Sequence, residues 1–338
     1  MSSLNTLSES KNVKVEQQEQ QNIMEPLLKE DKCRYTLFPI QYPKIYQMYK
    51  TSEKLNWFAH EIDFSKDLEC WEKLHEDKKY FIKHILAFFA GSDGIVIKNL
   101  MSNFHNEITL PEALLFYAQQ LKIEAVHSET YSMMIDTYLI KNPQEKLYLF
   151  RAIENIPFIA QKADWAIKWM DRASGPFAQR LVAFAVVEGV FFSGSFCAIY
   201  WLKKQNLLSG LCRANEFIAR DEGMHTDFAC MLYSYVVNKL SEADVHAMIG
   251  EAVEIESKFI TEALRCDLLG INSGLMITYI KYVADRLCLS LGYAKIYNCA
   301  QPFRFMDEIC LFGKVNFFEH DSSEYQHNTS NTLDKYEF

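Results

Sequence analysis

The sequence predicts an all-α fold, a bundle of long helices with some of its polar side chains inside. Three observations predict it. Glycine and proline are sparse, 12 and 8 among 338 residues, too few for a fold built on many tight turns. Hydrophobic residues make up 49% and aromatics 14%, enough to fill one large core. Through most of the chain the apolar residues recur at helical spacing.

Taken in order, residues 1–33 are polar and rich in Gln, Glu, Ser and Lys, with little to bury; they are expected to form a disordered tail. Pro39 and Pro43 mark an extended stretch from Arg34 to about Tyr46. Helices are expected over about 44–57, 66–75, 77–104, 111–140, 144–171, 176–204, 211–238, 242–267 and 274–294. Pro111 and Pro176 fit first-turn positions, Ser241 fits an N-cap, and Gly210, Gly270 and Gly292 lie near boundaries. Two segments, FIKHILAFFAGSDGIVIKNLM and RLVAFAVVEGVFFSGSFCAIYWL, are apolar almost all round and belong in the middle of the bundle. The domain is expected to span 34–319. Residues 320–338 turn polar again and read as a mobile tail.

Composition also limits function. A net charge of −9 argues against nonspecific binding to nucleic acid. Nine scattered cysteines with no C-x-x-C pair read as reduced thiols, not a disulfide framework or zinc ribbon. The N-terminus lacks the apolar run of a signal peptide. Charge or glycine is expected to interrupt the apolar runs before they reach the ~20 residues that span a bilayer. A soluble cytoplasmic protein with no membrane partner is the expectation.

Chemistry enters through acids in the wrong place. Asp93 lies in LAFFAGSDGIVI and Glu188 in VAFAVVEGVFFSG, where an ionised carboxylate is costly unless compensated. Each could pair with a buried arginine or stay protonated. Glu-x-x-His adds what single acids lack, because positions three apart share a helix face and can reach one ion. Composition alone predicts about one such pair, and four occur. Glu72/His75 and Glu324/His327 sit in charged or polar runs and read as solvated. Glu124/His127 and Glu222/His225 lie on long helices with apolar faces. Two Glu-x-x-His helices plus two helices giving one acid each is the ferritin-like dimetal pattern, so a ferritin-like bundle with additional helices is expected. Oxygen and imidazole ligands suit iron or manganese.

Tyr131 lies four residues after His127 and seven after Glu124, on the same face. It can be a core aromatic or a redox group. Phe192 and Phe196 follow Glu188 by one and two turns, and Ile218 precedes Glu222 by one; all three are expected to point inward and shield Tyr131.

At these residues the chain closely resembles the small, radical-bearing subunit of class I ribonucleotide reductase, of the eukaryotic type. NWFAHEIDFSKD, ILAFFAGSDGIV, IEAVHSETYSMMIDTY, KADWAIKWM, VAFAVVEGVFFSGSF, ARDEGMHTDFAC and FGKVNFFE carry the resemblance, over about residues 34–320. It implies that Asp93, Glu124 and His127 bind one iron and Glu188, Glu222 and His225 the other, with dioxygen activating the pair and manganese a possible substitute. It implies a radical on Tyr131, relayed through Trp57, Asp221 and Tyr325 to a large subunit that reduces ribonucleoside diphosphates. Arg220 is expected to steady Asp221. It further implies a homodimer and a docking tail ending at Phe338. The chain departs from the family at His60, where an acid is usual, in the short linker after Tyr325, and at Lys335-Tyr336. Two alternatives stay open: a dimetal oxidase or hydroxylase without a stable radical, and a non-catalytic partner subunit.

Overall fold

Helix starts fall where side chains satisfy, or proline dispenses with, the free N–H groups of a first turn. A computed structural model describes residues 24–31 and 35–306. Helix α1 is Pro43–Lys54, α2 Ser65–Lys73, α3 Glu76–Asn99 and α4 Pro111–Tyr138. Next come α5, Pro143–Phe150, and α6, Pro157–Met170, with a single turn between them. The second half holds α7 Phe177–Val186, α8 Ser193–Lys204, α9 Ser209–Ser234, α10 Glu242–Lys258 and α11 Ser273–Leu291. No strand occurs among the described residues. Proline opens α1, α4, α5 and α6; Ser241 and Asn272 accept first-turn N–H groups of α10 and α11. Gly270 and Gly292 close helical turns at φ of +82° and +89°, the left-handed region glycine enters without strain.

Four expected helices are broken. The one expected over 144–171 divides at Arg151 and Ile156, because Pro157 has no N–H and holds the residue before it extended. The helices expected over 77–104, 176–204 and 242–267 each contain a π turn, at Leu100–Phe104, Val187–Phe191 and Phe259–Ala263. Hydrophobic periodicity hides a one-residue bulge where every face is apolar.

The bundle's centre is made by α3, α4, the α7–α8 pair and α9, with α3 against α4 and α7 against α9. Helices Glu76–Glu107 and Phe177–Lys204 are long and apolar enough to cross a bilayer, contrary to the sequence expectation. The apolar window of the second is wholly buried inside the protein, and that of the first is half buried. The N-terminal stretch also differs from expectation. Residues 24–31 are docked, with Leu27 fully buried and Glu25 accepting from Val237 and Asn238 N–H at 2.8 Å each. Phe303 and Phe305 pack on Tyr279 and Trp201 near the end of the described chain.

Helix α9 starts without a capping side chain of its own, after Leu208 at φ +49°. Asp67 of α2 supplies the cap: it accepts from Gly210 and Leu211 N–H at 2.9 and 2.8 Å and from the Tyr138 hydroxyl at 2.7 Å. A Cβ at Gly210 would stand 2.8 Å from the Asp63 carbonyl, so glycine permits this approach. Asp67→Ala strands three buried donors and is predicted to destabilise the fold by roughly 2–4 kcal/mol, read as a lowered urea midpoint.

Candidate metal centre

Helix α4 carries Glu124 and His127 one turn apart, and α9 carries Glu222 and His225 in the same way. Asp93 comes from α3 and Glu188 from the π turn after α7. No one of the six is more than 2% exposed. Their ligand atoms fall into two overlapping groups, each within 4.8 Å: Asp93, Glu124 and His127; and Glu124, Glu188, Glu222 and His225. Glu124 belongs to both, so its carboxylate stands within reach of either group. Its oxygens lie 3.0 Å from His225 Nδ1 and 3.5 Å from His127 Nδ1. Glu222 likewise approaches His127 Nδ1 at 2.9 Å and His225 Nδ1 at 3.0 Å.

The fit to cations rests on atoms left over. Asp93 Oδ2, Glu124 Oε2 and Glu188 Oε2 are buried without a hydrogen-bond partner. Each such orphan costs about 1–3 kcal/mol, so three converging in one place call for a shared positive charge. Buried arginines do not supply it. The groups acting on Asp93 and Glu188 are the other carboxylates and imidazoles of the cluster. Burial, then the neighbouring carboxylates, pushes both acids well above their ordinary range. Burial also opposes charge on Glu222 and His225. The imidazoles still hold Glu222 below its usual value, and Glu124 and Glu222 push His225 up to about 9. Two divalent ions sharing Glu124 would fit this donor set.

Beyond the cluster, His127 turns Nε2 to Asp221 Oδ2 at 3.1 Å, and the Trp57 indole N–H donates to the same oxygen at 2.8 Å. The acid's other oxygen is taken by Arg220, whose guanidinium donates to Oδ1 at 2.9 and 3.1 Å. A ring proton held on Nε2 by Asp221 would leave the Nδ1 lone pair free to face the cluster. Tyr131 is 3% exposed, and burial followed by the charge of Asp93 raises its phenol well above its usual value.

Comparison with known proteins decides the family. The family described as "Ribonucleotide reductase, small chain" matches residues 34–302. This chain belongs to that family. It is 55% identical over 303 residues to the ribonucleoside-diphosphate reductase small chain of Neurospora crassa, covering 89% of this chain and 74% of that one. It is 51% identical over 302 residues to the human subunit M2 of the same enzyme, covering 89% and 77%. Among solved structures, the Rnr4 homodimer of Saccharomyces cerevisiae superposes with a TM-score of 0.78 at 35% identity, over 91% of this chain and 98% of that one. The dimanganese(II)-NrdF of Streptococcus sanguinis shares the fold, with a TM-score of 0.72 at 17% identity over 82% and 98%. The protein is a small subunit of ribonucleoside-diphosphate reductase, of the eukaryotic class I type.

In this small subunit the ring against Tyr131 is Phe89, stacked at 4.7 Å, which sequence reasoning missed. Phe196 and Phe192 stand behind Phe89, at 5.1 and 5.7 Å, and Ile218 is fully buried on α9. Gln120 was also missed; its amide reaches Glu124 and Glu188 at 3.4 Å each. Both were within reach of helical spacing, Phe89 one turn before Asp93 and Gln120 one turn before Glu124. Glu72 and His75 are exposed, as expected, and His60 is exposed with its ring on Phe58. Tyr325 and Phe338, with the pair Glu324/His327, lie outside the described residues. Manganese(II) added to metal-free protein is predicted to raise the melting temperature. At a hundredfold excess over Kd the gain is about 2.7 kcal/mol per site, read by calorimetry. Glu188→Ala should lower the bound stoichiometry.

Proposed function

We propose that the six groups hold two iron ions and that the subunit stores one oxidising equivalent on Tyr131 for relay to a large subunit. The observation that carries this reading is the set of partnerless buried donors one helical turn from a buried tyrosine. Ferrous ions bound there would, with dioxygen, supply the oxidising equivalent for Tyr131, and manganese would fit the same donors. Asp93 and Glu124 with His127 would hold one ion, and Glu188, Glu222 and His225 the other, with Glu124 reaching both.

The chain's own residues set what happens to the phenol. Its proton is held tightly, so electron loss from Tyr131 must carry the proton with it. Asp93, the carboxylate whose charge acts most strongly on the phenol, is the base on which we place that proton. Phe89, backed by Phe192 and Phe196, keeps water and reductants from the ring. Trp57, Asp221 and His127 form the inner part of the route out. The indole proton can shift to Asp221 Oδ2 as Trp57 gives up an electron, and Arg220 keeps that carboxylate aimed. Tyr325 would continue the route, and the tail ending at Phe338 would dock on the large subunit, where ribonucleoside diphosphates are reduced. The small subunit is read as a homodimer contacting that partner from the soluble phase.

After aerobic loading with ferrous iron, a sharp electron-spin signal of a tyrosyl radical is expected. Tyr131→Phe should abolish it while about two irons per chain remain. A chain that binds iron and turns over oxygen without any such signal would instead be a dimetal oxidase. Trp57→Phe should keep the radical yet lower nucleotide reduction with the large subunit by at least about 100-fold, a loss of about 2.7 kcal/mol in the rate-determining barrier. Normal reduction by Trp57→Phe would remove Trp57 from the route.

A further inference from the structure

Lys162 of α6 and Glu256 of α10 form an ion pair with almost no exposure, on helices that carry none of the six cluster residues. The ammonium donates to Glu256 Oε2 and to the Phe191 carbonyl, both at 2.6 Å. It also lies over the Phe88 and Phe259 rings, 3.4 and 4.0 Å from their centroids. Glu256 Oε1 accepts the Gly194 N–H at 3.2 Å. Burial pushes the Lys162 ammonium down to about 8 and the Glu256 carboxyl up to about 7, and each partner's charge opposes that desolvation cost.

The two backbone partners explain the location. Phe191 ends the π turn Val187–Phe191, and Gly194 stands at the start of α8. At this junction the helical ladder is irregular: Phe192 N–H and the Ser193 hydroxyl both go to the Val190 carbonyl. Gly194 N–H turns to Glu256. A Cβ on Gly194 would stand 2.7 Å from Glu256 Oε1, so glycine is what lets the carboxylate reach the backbone. A π turn adds one residue to the helix, and each residue beyond it is rotated about 100° relative to the regular α-helix. Glu188 is in that turn and Phe192 follows directly.

We propose that Lys162 and Glu256 are positioning residues that clamp the exit of the Val187–Gly194 bulge, through the Phe191 carbonyl and the Gly194 N–H, and thereby aim Glu188 into the cluster and Phe192 behind Phe89. The claim rests on the dimetal reading for its consequence but not for its geometry. Neither residue touches the cluster, and each acts through the backbone it holds.

The test is Lys162→Met/Glu256→Met, which removes both charges together and leaves no unpaired ion in the core. Manganese(II) is titrated into metal-free protein, and amide hydrogen exchange is followed in the same samples. Helical circular dichroism should be unchanged. Exchange at Gly194 and across 187–194 should quicken at least about tenfold, with α4 unaffected. One of the two manganese sites should weaken about tenfold or more while the other keeps its affinity, as expected when a ligand's orienting partner is lost. Unchanged exchange across the bulge, or equal weakening of both sites, overturns the proposal. If the wild-type chain binds no manganese, the dimetal reading falls and exchange alone decides the clamp. If the double variant does not fold, Gly194→Ala displaces the same carboxylate and is judged by the same two readouts.

Discussion

Four carboxylates brought into the apolar middle of a helical bundle form the constraint around which this small subunit is arranged. Each costs several kcal/mol to desolvate, and their mutual repulsion adds to that. The two imidazoles offset part of it, which is why Glu222 stays easily ionised while Asp93 and Glu188 do not. The remainder shows as donor atoms with nothing to bind. A bundle left in this condition is poorly satisfied by its own side chains, and divalent cations would complete it. Stability and function therefore draw on the same atoms.

Much of this was legible in the sequence because helices convert spacing into direction. Glu124 with His127 and Glu222 with His225 had to share a face, and the apolar settings of Asp93 and Glu188 showed they were buried. Context also separated the buried pairs from Glu72/His75, whose charged surroundings marked a solvated turn. What stayed hidden was whatever depends on departures from the regular helix. The bulge at Glu188 lies in a segment apolar on every side, so no pattern of polar and apolar residues could register one extra residue. Glu124's shared position was hidden for a different reason, because it depends on how far apart four helices stand and not on order along any one of them. The docking of residues 24–31 rests on one buried leucine and one glutamate in a polar stretch, too little signal to outweigh composition.

The polar groups around the cluster follow one rule: residues outside the six hold the six and their helices in place. Asp67 of α2 starts α9, Gln120 spans Glu124 and Glu188, and Arg220 fixes Asp221 while its guanidinium also donates to the Leu55 carbonyl at 2.8 Å, beside Trp57. A donor set meant to bind ions cannot also be held by its own hydrogen bonds, since those would occupy the lone pairs the ions need. Orientation has to come from groups one step removed. This explains why a core so apolar tolerates so many buried polar residues beyond the six.

His127 shows the rule at its sharpest. Asp221 and Glu222 are consecutive on α9, about 100° apart around the helix, and they meet opposite nitrogens of the same imidazole, at 3.1 and 2.9 Å. Glu222 faces the cluster side and Asp221 the side of Trp57. One peptide step on α9 thus separates the inner carboxylate from the outer one, and a single ring joins them. Any rotation of α9 that improved one contact would spoil the other, so the capped start of α9 at Asp67 matters well beyond local stability. The register of one helix sets both where cations can sit and whether the indole of Trp57 remains joined to them.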